Sequence, residues 1–358
     1  MRVNIITQPL FSNYGGILQN YALQEVLRRA GHTPLTINVP VREIKGGATW
    51  KDYVKTIINL VSKIRGNYES PFLNPLVYAI KERELSFPQR NFIKKYISKV
   101  DVKIPFTSDL EEKYPADIWI VGSDQVWRPW CSPNIRNYFF DFLHPKTSRM
   151  AYAASFGTDK WEISDELTPV VKDLVSRFSS VSVRENSGIG LCREYLGVDA
   201  SHVLDPTLLL KAEDYLALTS EKDYPEGKYI ATYILDPSKE KKDTVKKETN
   251  SKNLPEVKVG RMRKEGYDTI ESWLGTIAHA EYVITDSFHG TVFSLIFHRP
   301  VKILKNGLRG NARLESLVKM LDANTSSDGY IYSDENLIRK LDSLSQDSLD
   351  YLLAAIKD

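Results

Sequence analysis

The chain has 358 residues, of which 42% are hydrophobic and 26% charged, proportions typical of a globular protein with two domains at this length. Lysine and arginine number 48 and aspartate and glutamate 46, so the formal net charge is only +2 and nucleic acid is not expected as a partner. No apolar run approaches the roughly 18 residues of a membrane-spanning helix, the N-terminal run is too short for a signal peptide, and two distant cysteines indicate a reducing, cytoplasmic setting.

The first half of the chain alternates short apolar runs with helix-like stretches. Residues 3–7 predict a buried strand, and a loop leads from them into a predicted helix at 17–30 that Gly31 ends. Residues 41–110 are helical in pattern and rich in lysine and tyrosine, and we interpret them as a helical insertion. Further strands are predicted at 35–39, 118–121, 151–154, 181–183 and 203–204.

A second series of strands and helices begins near residue 229. Strands are predicted at 229–233, 257–259, 282–285 and 301–304, with helices at 239–252 and 270–280, and the tail shows two amphipathic helical stretches. Strands that alternate with helices form parallel sheets covered on both faces, and two such sheets hold a ligand between the carboxyl ends of their strands. We therefore predict an α/β fold with domains at 1–208 and 209–332 and a helical tail at 333–358.

The segment Ser287-Phe288-His289-Gly290 is the most informative part of the sequence. It stands between the predicted strand 282–285 and a helix-like run that begins at Thr291. A turn from a strand into a helix directs its side chains and the first N–H groups of the helix at one spot, which favours anions. His289 can donate a proton to an anion held there; the alternative is that His289 caps the helix or packs inside the protein. Ser287, Gly290 and Thr291 are the neighbours that would contact the same anion.

Polar residues also follow the predicted strands of the first half. The run Asn13-Tyr14-Gly15-Gly16, with Gln19 behind it, resembles a glycine loop that closes on a ligand, although it matches neither the dinucleotide nor the phosphate-loop pattern. The alternative is an ordinary turn from a loop into a helix. Asp124 can accept a proton from a hydroxyl group or cap a helix, and Ser155 occupies a similar position after the next strand.

Arginines follow strands in both halves of the chain. Arg184 comes directly after the strand at 181–183, where its guanidinium could bind a carboxylate or phosphate with two hydrogen bonds. The alternative is a salt bridge to Glu185 or to another acid. In the second half, the residues that could close on the same anion are Arg261, Asn311 and Arg313. The other histidines have no partner at metal-ligand spacing, so we expect a site for a small, charged ligand that uses no metal ion.

Seven motifs in order resemble the polysaccharide pyruvyl transferase family. They are Asn13-Tyr14-Gly15-Gly16-Ile17-Leu18-Gln19-Asn20-Tyr21-Ala22-Leu23-Gln24, Val121-Gly122-Ser123-Asp124-Gln125-Val126-Trp127, Tyr152-Ala153-Ala154-Ser155-Phe156-Gly157, Val181-Ser182-Val183-Arg184-Glu185, Asp205-Pro206-Thr207, Thr285-Asp286-Ser287-Phe288-His289-Gly290 and Arg299-Pro300. The resemblance covers roughly residues 1–40 and 115–320. The opening run and the ordered set are specific, whereas any one short motif is not.

The resemblance implies two Rossmann-like domains facing a central cleft, as in glycosyltransferases of the GT-B type. It implies transfer of pyruvate from phosphoenolpyruvate, a co-substrate, onto two hydroxyls of a sugar in a polysaccharide or its lipid-linked precursor, with no cofactor. His289 would be the catalytic histidine and Arg184 the arginine of the family motif. Beside the resemblance, we predict that Asp124 is the base that takes the hydroxyl proton. The second domain would bind the donor, and the first domain would bind the acceptor through Asn13, Tyr14, Gly15, Gly16, Gln19 and Ser155.

The sequence departs from the family pattern at Ser287, where the family has an arginine. Arg261, Arg263 or Arg313 would then supply the missing positive charge, unless the donor or the acceptor differs. Two other functions stay open at this point: a GT-B-type glycosyltransferase that uses a nucleotide sugar, and a saccharide-binding protein without catalysis. The run 290–298 carries no carboxylate for a ribose, which counts against the nucleotide sugar. Docking at the inner face of the membrane is also left open.

Overall fold

The computed structural model of the chain describes residues 1–39, 87–129, 131–260, 262–263, 266–306, 312–327 and 329–357. Most of the expected helical insertion, at 40–86, lies outside the described residues. So do Arg261 and Asn311 and the side chain of Arg263, whose predicted contacts with an anion therefore stay predictions.

A sheet of seven parallel strands forms the first half of the molecule. The strand order is β3-β2-β1-β4-β5-β6-β7, the doubly wound arrangement that reverses direction between β1 and β4. The central strands are buried along their whole length, as expected when helices cover both faces of a parallel sheet. The strands are β1 (Arg2–Ile6), β2 (Thr33–Asn38), β3 (Lys99–Asp101), β4 (Ile118–Val121), β5 (Arg149–Ala154), β6 (Ser180–Val183) and β7 (Ser201–His202).

Six α-helices of the described residues accompany this sheet and lead out of it. α1 buries almost its whole length, because it packs on the first sheet on one side and on the second half of the chain on the other. A short 3-10 turn, Pro206–Leu209, leaves the sheet after β7. The helices are α1 (Tyr14–Arg29), α2 (Phe87–Tyr96), α3 (Asp109–Lys113), α4 (Thr168–Val175), α5 (Asn186–Leu191) and α6 (Ala212–Leu216).

The predicted helical insertion is wrong at its C-terminal end. Residues 99–101 form the edge strand β3, which pairs in parallel with β2 from Lys99 opposite Thr36 to Asp101 opposite Asn38. The preceding helix, α2, buries Phe92 against Tyr21 of α1, with ring centroids 5.6 Å apart. A strand of three residues is too short to produce a period in the sequence, and its pairing with β2 is a long-range contact.

A second sheet of five strands forms the other half of the molecule, in the order β14-β13-β12-β8-β9. Its strands are parallel except for the antiparallel pair β13 and β14, and its order reverses between β8 and β12. A two-stranded hairpin lies beside it. The strands are β8 (Ile230–Tyr233), β9 (Glu256–Lys258), β10 (Met262–Arg263), β11 (Gly266–Tyr267), β12 (Tyr282–Thr285), β13 (Val301–Ile303) and β14 (Tyr330–Ile331).

Five more helices complete the chain: α7 (Lys239–Lys252), α8 (Ile270–Ala278), α9 (Phe288–Ile296), α10 (Ala312–Met320) and α11 (Glu335–Lys357). The tail forms one helix of 23 residues, α11, where the sequence pattern predicted two stretches. α11 returns to the first half of the molecule, where Ser348 Oγ accepts a hydrogen bond from the backbone N–H of Leu204 at 3.0 Å. None of the described helices combines the length and apolar character that a membrane crossing requires.

One hydrophobic core runs through both halves of the chain. It joins Val3 and Ile120 of the first sheet to Val283 of the second, with Leu352 of α11 packed into the same cluster. Both sheets therefore hold the carboxyl ends of their strands toward a shared cleft. In doubly wound sheets, ligands bind where the strand order reverses, which here means the loops after β1 and β4 and those after β8 and β12.

Candidate active site

A pocket of about 340 Å³ opens between the two sheets at these loops. From the first half it is lined by Ser12, Asn13, Tyr14, Gly15, Asp124 and Gln125. From the second half it is lined by Tyr233, Leu235, Gly260, Asp286, Ser287, Phe288, His289, Arg313 and Leu314. The fold thus brings seven of the predicted site residues to one pocket: Asn13, Tyr14, Gly15, Asp124, Ser287, His289 and Arg313.

The turn between β12 and α9 positions His289 in the first turn of a helix. Ser287 is the N-cap residue, and its hydroxyl accepts from the backbone N–H of Gly290 at 3.4 Å. α9 can sit so close to the strand end because residue 290 is a glycine: a Cβ there would approach Thr285 Oγ1 to 2.3 Å. His289 is therefore held on rigid backbone at the positive end of a helix dipole.

Asp286 lines the pocket but is occupied by structural hydrogen bonds. Its Oδ1 accepts from the backbone N–H of Leu235 at 2.7 Å, and its Oδ2 accepts from Lys241 Nζ at 2.6 Å and from the N–H of Asp236 at 3.1 Å. The carboxylate ties the loop after β8 to the turn that carries His289. Asp286 thus stabilises the pocket wall on the second sheet.

His289 reaches across to the first half of the molecule. Its Nε2 is buried and lies 3.7 Å from Asp205 Oδ2, an ion-pair distance longer than a hydrogen bond. The other edge of the ring lies against Gly15: a Cβ on residue 15 would come within 1.9 Å of Nδ1. The imidazole is therefore enclosed between a carboxylate and a backbone segment that both belong to the first half.

Arg184 is fully buried behind the pocket and joins two carboxylates. Its Nη1 donates to Asp205 Oδ2 at 2.6 Å, and its Nη2 donates to Asp124 Oδ1 at 3.4 Å. Arg184 therefore forms salt bridges, as the alternative prediction held. Its partners are these two aspartates and not Glu185. With 1% of its side chain exposed, Arg184 does not line the pocket and organises residues that do.

Asp205 is a residue that the sequence reasoning did not single out for the site. Burial by itself would raise the pKa of its carboxyl, but His289 beside it and the positive charge of Arg184 hold that pKa well below its ordinary value. Asp205 is therefore ionised across the neutral range. The signal in the sequence was its place in the Asp205-Pro206-Thr207 motif directly after a predicted strand.

Among the residues that the structure describes, Arg313 is the arginine that lines the pocket. It lies at the start of α10, and its guanidinium carbon is 5.6 Å from the centroid of the Phe288 ring, which Arg184 also approaches, at 4.7 Å. Burial and the charge of Arg184 lower the pKa of Arg313 to about 10. Arg313 is still protonated at neutral pH and is poorly solvated, so an anion in the pocket would be strongly attracted to it.

Contacts with the first half hold α10 in place. Ser316, one turn after Arg313, accepts a hydrogen bond from the backbone N–H of Asn186 at 2.9 Å. The same hydroxyl lies 3.1 Å from His202 Nε2. Arg313 is thus fixed at the boundary between the two halves, although it belongs to the second.

Asp124 faces the pocket from the loop after β4. Its backbone is in the left-handed region, with φ at 73°, a conformation that aspartate tolerates better than most residues. Its Oδ1 accepts from the backbone N–H of Gln125 at 2.9 Å as well as from Arg184. Arg184 and Asp205 therefore link Asp124 to His289 in one network that crosses the cleft.

The glycine run forms the first turn of α1 and not a loop around a ligand. The helix begins at Tyr14, so both Gly15 and Gly16 are helical. The Tyr14 ring stacks on Trp273 at 5.6 Å, and its hydroxyl donates to the backbone oxygen of Asp268 at 2.6 Å. The first turn of α1 is thus inserted into the second half of the molecule, and the reading of this run as a free glycine loop is wrong.

Several predicted site residues are bound to neighbouring protein groups away from the pocket. Gln19 bridges Thr7 and the backbone of Ser123. The Ser155 hydroxyl donates to Glu185 at 3.1 Å, and the Thr291 hydroxyl donates to the backbone oxygen of its own helix. Together with Gly16 and Gly290, which shape the backbone, these residues support the site from behind.

Across the described ranges, no group of three or more histidine, cysteine, aspartate or glutamate side chains is arranged to hold a metal ion.

The chain resembles known proteins both in sequence and in fold. The sequence model of the family described as polysaccharide pyruvyl transferase matches residues 13–306. No curated protein matches the chain.

Solved structures show the fold. A candidate UDP-N-acetylglucosamine 2-epimerase from Listeria monocytogenes superposes with a TM-score of 0.52 at 11% identity, covering 98% of this chain and 89% of that one. The UDP-GlcNAc 2-epimerase of Methanocaldococcus jannaschii gives 0.47 at 10% identity, with 99% of each chain covered. The glycosyltransferase SnogD of Streptomyces nogalater gives 0.42 at 11% identity, with 99% of each covered. The predicted fold class is confirmed: two Rossmann-like sheets face a central cleft in a GT-B-like arrangement.

Proposed function

Since the chain belongs to the polysaccharide pyruvyl transferase family, we propose that it transfers pyruvate from phosphoenolpyruvate onto two hydroxyls of one sugar, forming a ketal. The acceptor would be a polysaccharide or its lipid-linked precursor. The observation that carries this proposal is the pocket in which His289 faces Arg313 and Asp124 between the two sheets. An acid, a cation and a base are the groups this reaction needs.

The donor end of the pocket suits an anion with two charged groups. Arg313 supplies a buried positive charge, and the N-terminus of α9 supplies backbone N–H groups and a partial positive charge beside Ser287. Phosphoenolpyruvate carries a carboxylate and a phosphate on adjacent atoms, so one can bind the guanidinium while the other meets the helix. Arg313 would thereby supply the positive charge that the family's arginine supplies at the position of Ser287.

The chemistry divides between His289 and Asp124. His289 donates a proton to C3 of the enol, which leaves C2 as an oxocarbenium-like centre. A sugar hydroxyl attacks C2 and passes its proton to Asp124, which gives that proton to the phosphate oxygen as the C2–O bond breaks and phosphate leaves. A second hydroxyl attacks the same carbon to close the ketal and gives its proton to the Asp124 carboxylate, which releases it to solvent, while His289 takes up a proton from solvent. Preorganised charge around C2 lowers the barrier to both attacks.

The acceptor would enter from the side of the first domain, where Asn13 and Tyr14 line the pocket. In a two-domain enzyme of this shape each half typically holds one substrate. We propose that the first domain, residues 1–208, binds the saccharide and that the second, 209–332, binds phosphoenolpyruvate. We propose further that the reaction needs no metal ion and takes place in the cytoplasm, at the inner membrane face when the acceptor is lipid-linked.

The test is phosphate release from phosphoenolpyruvate in the presence of nitrophenyl and lipid-linked sugars, with mass spectrometry of the acceptor. We expect phosphate release that depends on one class of sugar, and a mass gain equal to pyruvate less one water. A chelator should leave the rate unchanged. Release of a nucleotide diphosphate from a nucleotide sugar, with no reaction of phosphoenolpyruvate, would support the glycosyltransferase alternative instead.

A further inference from the structure

We infer that Asp205 is the positioning residue for His289: it binds Nε2–H, so that the proton for transfer is carried by Nδ1. The inference deepens the proposed function and rests on it for the identity of the reaction. The contact itself, between a carboxylate and an imidazole from opposite halves of the molecule, can be measured without any substrate.

The two nitrogens of His289 have different surroundings. Nε2 is buried and lies 3.7 Å from Asp205 Oδ2. Nδ1 lies against Gly15, which lines the pocket. A small closure of the two halves would shorten the Nε2 contact to a hydrogen bond. Because the hydrogen bond at one ring nitrogen decides which tautomer forms, Asp205 would leave Nδ1 as the nitrogen that exchanges a proton with substrate.

Asp205 is held rigidly enough to orient a neighbour. Its Oδ1 accepts from both the backbone N–H and the hydroxyl of Thr207, at 3.0 and 2.7 Å. Its Oδ2 accepts from Arg184 at 2.6 Å and from the Ser123 hydroxyl at 3.1 Å. Four hydrogen bonds from three different loops fix the carboxylate, and a fixed acceptor is what aligns an imidazole.

The charges around the pair favour this arrangement. Asp205 and Asp124 share the single guanidinium of Arg184, which leaves one negative charge for His289. Arg313 lies nearby, with its guanidinium carbon 5.6 Å from the centroid of the Phe288 ring. The remaining ionisable groups that interact with Asp205 are the buried phenols of Tyr152 and Tyr215, whose pKa values burial raises well above the ordinary value. They stay neutral, so the carboxylate is the group to which the imidazole responds.

Asp205 gives the two ring nitrogens of His289 different roles in proton transfer. The protonated ring holds one proton on Nε2, bound to Asp205, and one on Nδ1. Nδ1 gives its proton to C3 of the enol, and the neutral ring that remains keeps the Nε2 proton on the carboxylate. No proton moves to Asp205 at any step.

The test is nitrogen NMR of the full chain labelled at its histidines, of which there are six; His289→Gln identifies the signal of His289. In the wild-type protein we expect the neutral ring to be the Nε2–H tautomer. In Asp205→Asn the fraction of the Nε2–H tautomer should fall, since the carboxylate that accepts from Nε2 has been removed. Asp214→Asn, which breaks the ion pair with Arg29, should leave the signal in place.

An Nδ1–H tautomer in the wild-type protein would overturn the inference even if Asp205→Asn failed to fold. So would a tautomer ratio that is the same in Asp205→Asn and the wild type. In the transfer assay, kcat of Asp205→Asn should fall at least about 100-fold, while KM for phosphoenolpyruvate stays within about twofold because Arg313 is untouched. If no sugar is pyruvylated by the wild-type chain, the proposed function fails and the NMR result still decides the role of Asp205.

Discussion

Gly15 of the first domain touches the imidazole of His289 of the second. A Cβ on residue 15 would lie 1.9 Å from Nδ1 and 2.2 Å from Cγ of that ring, closer than any real side chain could come. Residue 15 is therefore a glycine because the ring of His289 occupies the space of a side chain. In turn, α1 of the opposite half holds that ring in place. The position of the histidine and the packing of the two halves are in this sense one structural feature.

The first prediction concerns this contact. Gly15→Ala should fold normally, because residue 15 is helical and alanine is the better helix former, but it should displace the ring of His289. A misplacement of about 1 Å can cost roughly 100-fold in rate, so we expect kcat to fall by that order. The matched control is Gly190→Ala in α5, where a Cβ meets open space. Equal activity of the two variants would show that the ring does not need its present position.

The second prediction is that His289→Ala lowers turnover by about 100-fold or more, the usual scale for the loss of acid–base catalysis. The variant should unfold at nearly the same temperature as the wild type, and it should still bind phosphoenolpyruvate. Turnover close to wild type would remove His289 from the mechanism.

The third prediction assigns donor binding to Arg313. Arg313→Lys should weaken phosphoenolpyruvate binding by about 1.5–3 kcal/mol, the scale of a charged hydrogen bond, since lysine cannot reproduce a two-pronged contact. Isothermal calorimetry measures the loss. Arg299→Lys, a substitution at an arginine away from the pocket lining, is the control. An unchanged affinity in Arg313→Lys would place the anion elsewhere.

The fourth prediction concerns Arg184, for which the sequence suggested direct binding of a carboxylate or phosphate. Because the guanidinium is buried between two carboxylates, Arg184→Met should leave those charges uncompensated and reduce the free energy of unfolding by about 3–5 kcal/mol. Urea unfolding at neutral pH measures this. A stable Arg184→Met variant with weakened phosphoenolpyruvate binding would return Arg184 to the donor site.

The same variant has a consequence at acid pH. The pKa of Asp205 is lower in the folded chain than in the unfolded one, so its contribution to stability is present above the unfolded value, about 4, and is lost as the pH falls below it. Without Arg184 the folded pKa rises, and less of this contribution remains to be lost. The fall in the urea midpoint between about pH 5 and 3 should therefore be smaller in Arg184→Met than in the wild type. The exposed Asp199→Asn is the control, since it should follow the wild-type curve.

The fifth prediction concerns Asp124. Asp124→Asn keeps the shape of the side chain and removes its basicity, so transfer to the sugar should fall by about 100-fold while phosphoenolpyruvate binding is retained. Calorimetry and the transfer assay are read on the same preparation. If transfer survives, Asp124 is a structural partner of Arg184, and the hydroxyl proton leaves by another route.

Local patterns predicted much of the fold. The strand at 118–121 coincides with β4, the strand at 282–285 coincides with β12, and the two parallel sheets follow from strands alternating with helices. These features depend on residues that are close in the chain. The family, too, could be recognised from short ordered motifs, as the match over residues 13–306 confirms.

Long-range packing decided what the patterns missed. The strand β3 has only three residues and exists because β2 offers it an edge, so its sequence resembled the end of a helical insertion. The run of Gly15 and Gly16 suggested a loop around a ligand, whereas both residues are helical and Gly15 gives the ring of His289 the space of a side chain. A glycine in a sequence indicates that another group packs closely against the backbone, but it does not identify that group.

The sequence by itself determined the parallel sheets, the turn that carries His289 and the arginines and aspartates at strand ends, because each of these depends on local backbone preference and on the period of apolar residues. Only the tertiary structure decided how they pair. Arg184 binds Asp205 and Asp124 behind the pocket while Arg313 lines it. Arg184, Asp124 and Arg313 were charged candidates of similar standing in the sequence, whereas Asp205 was not singled out. Which of them meets a substrate and which is neutralised inside the protein depends on how the two sheets pack together, and that is a property of the folded molecule.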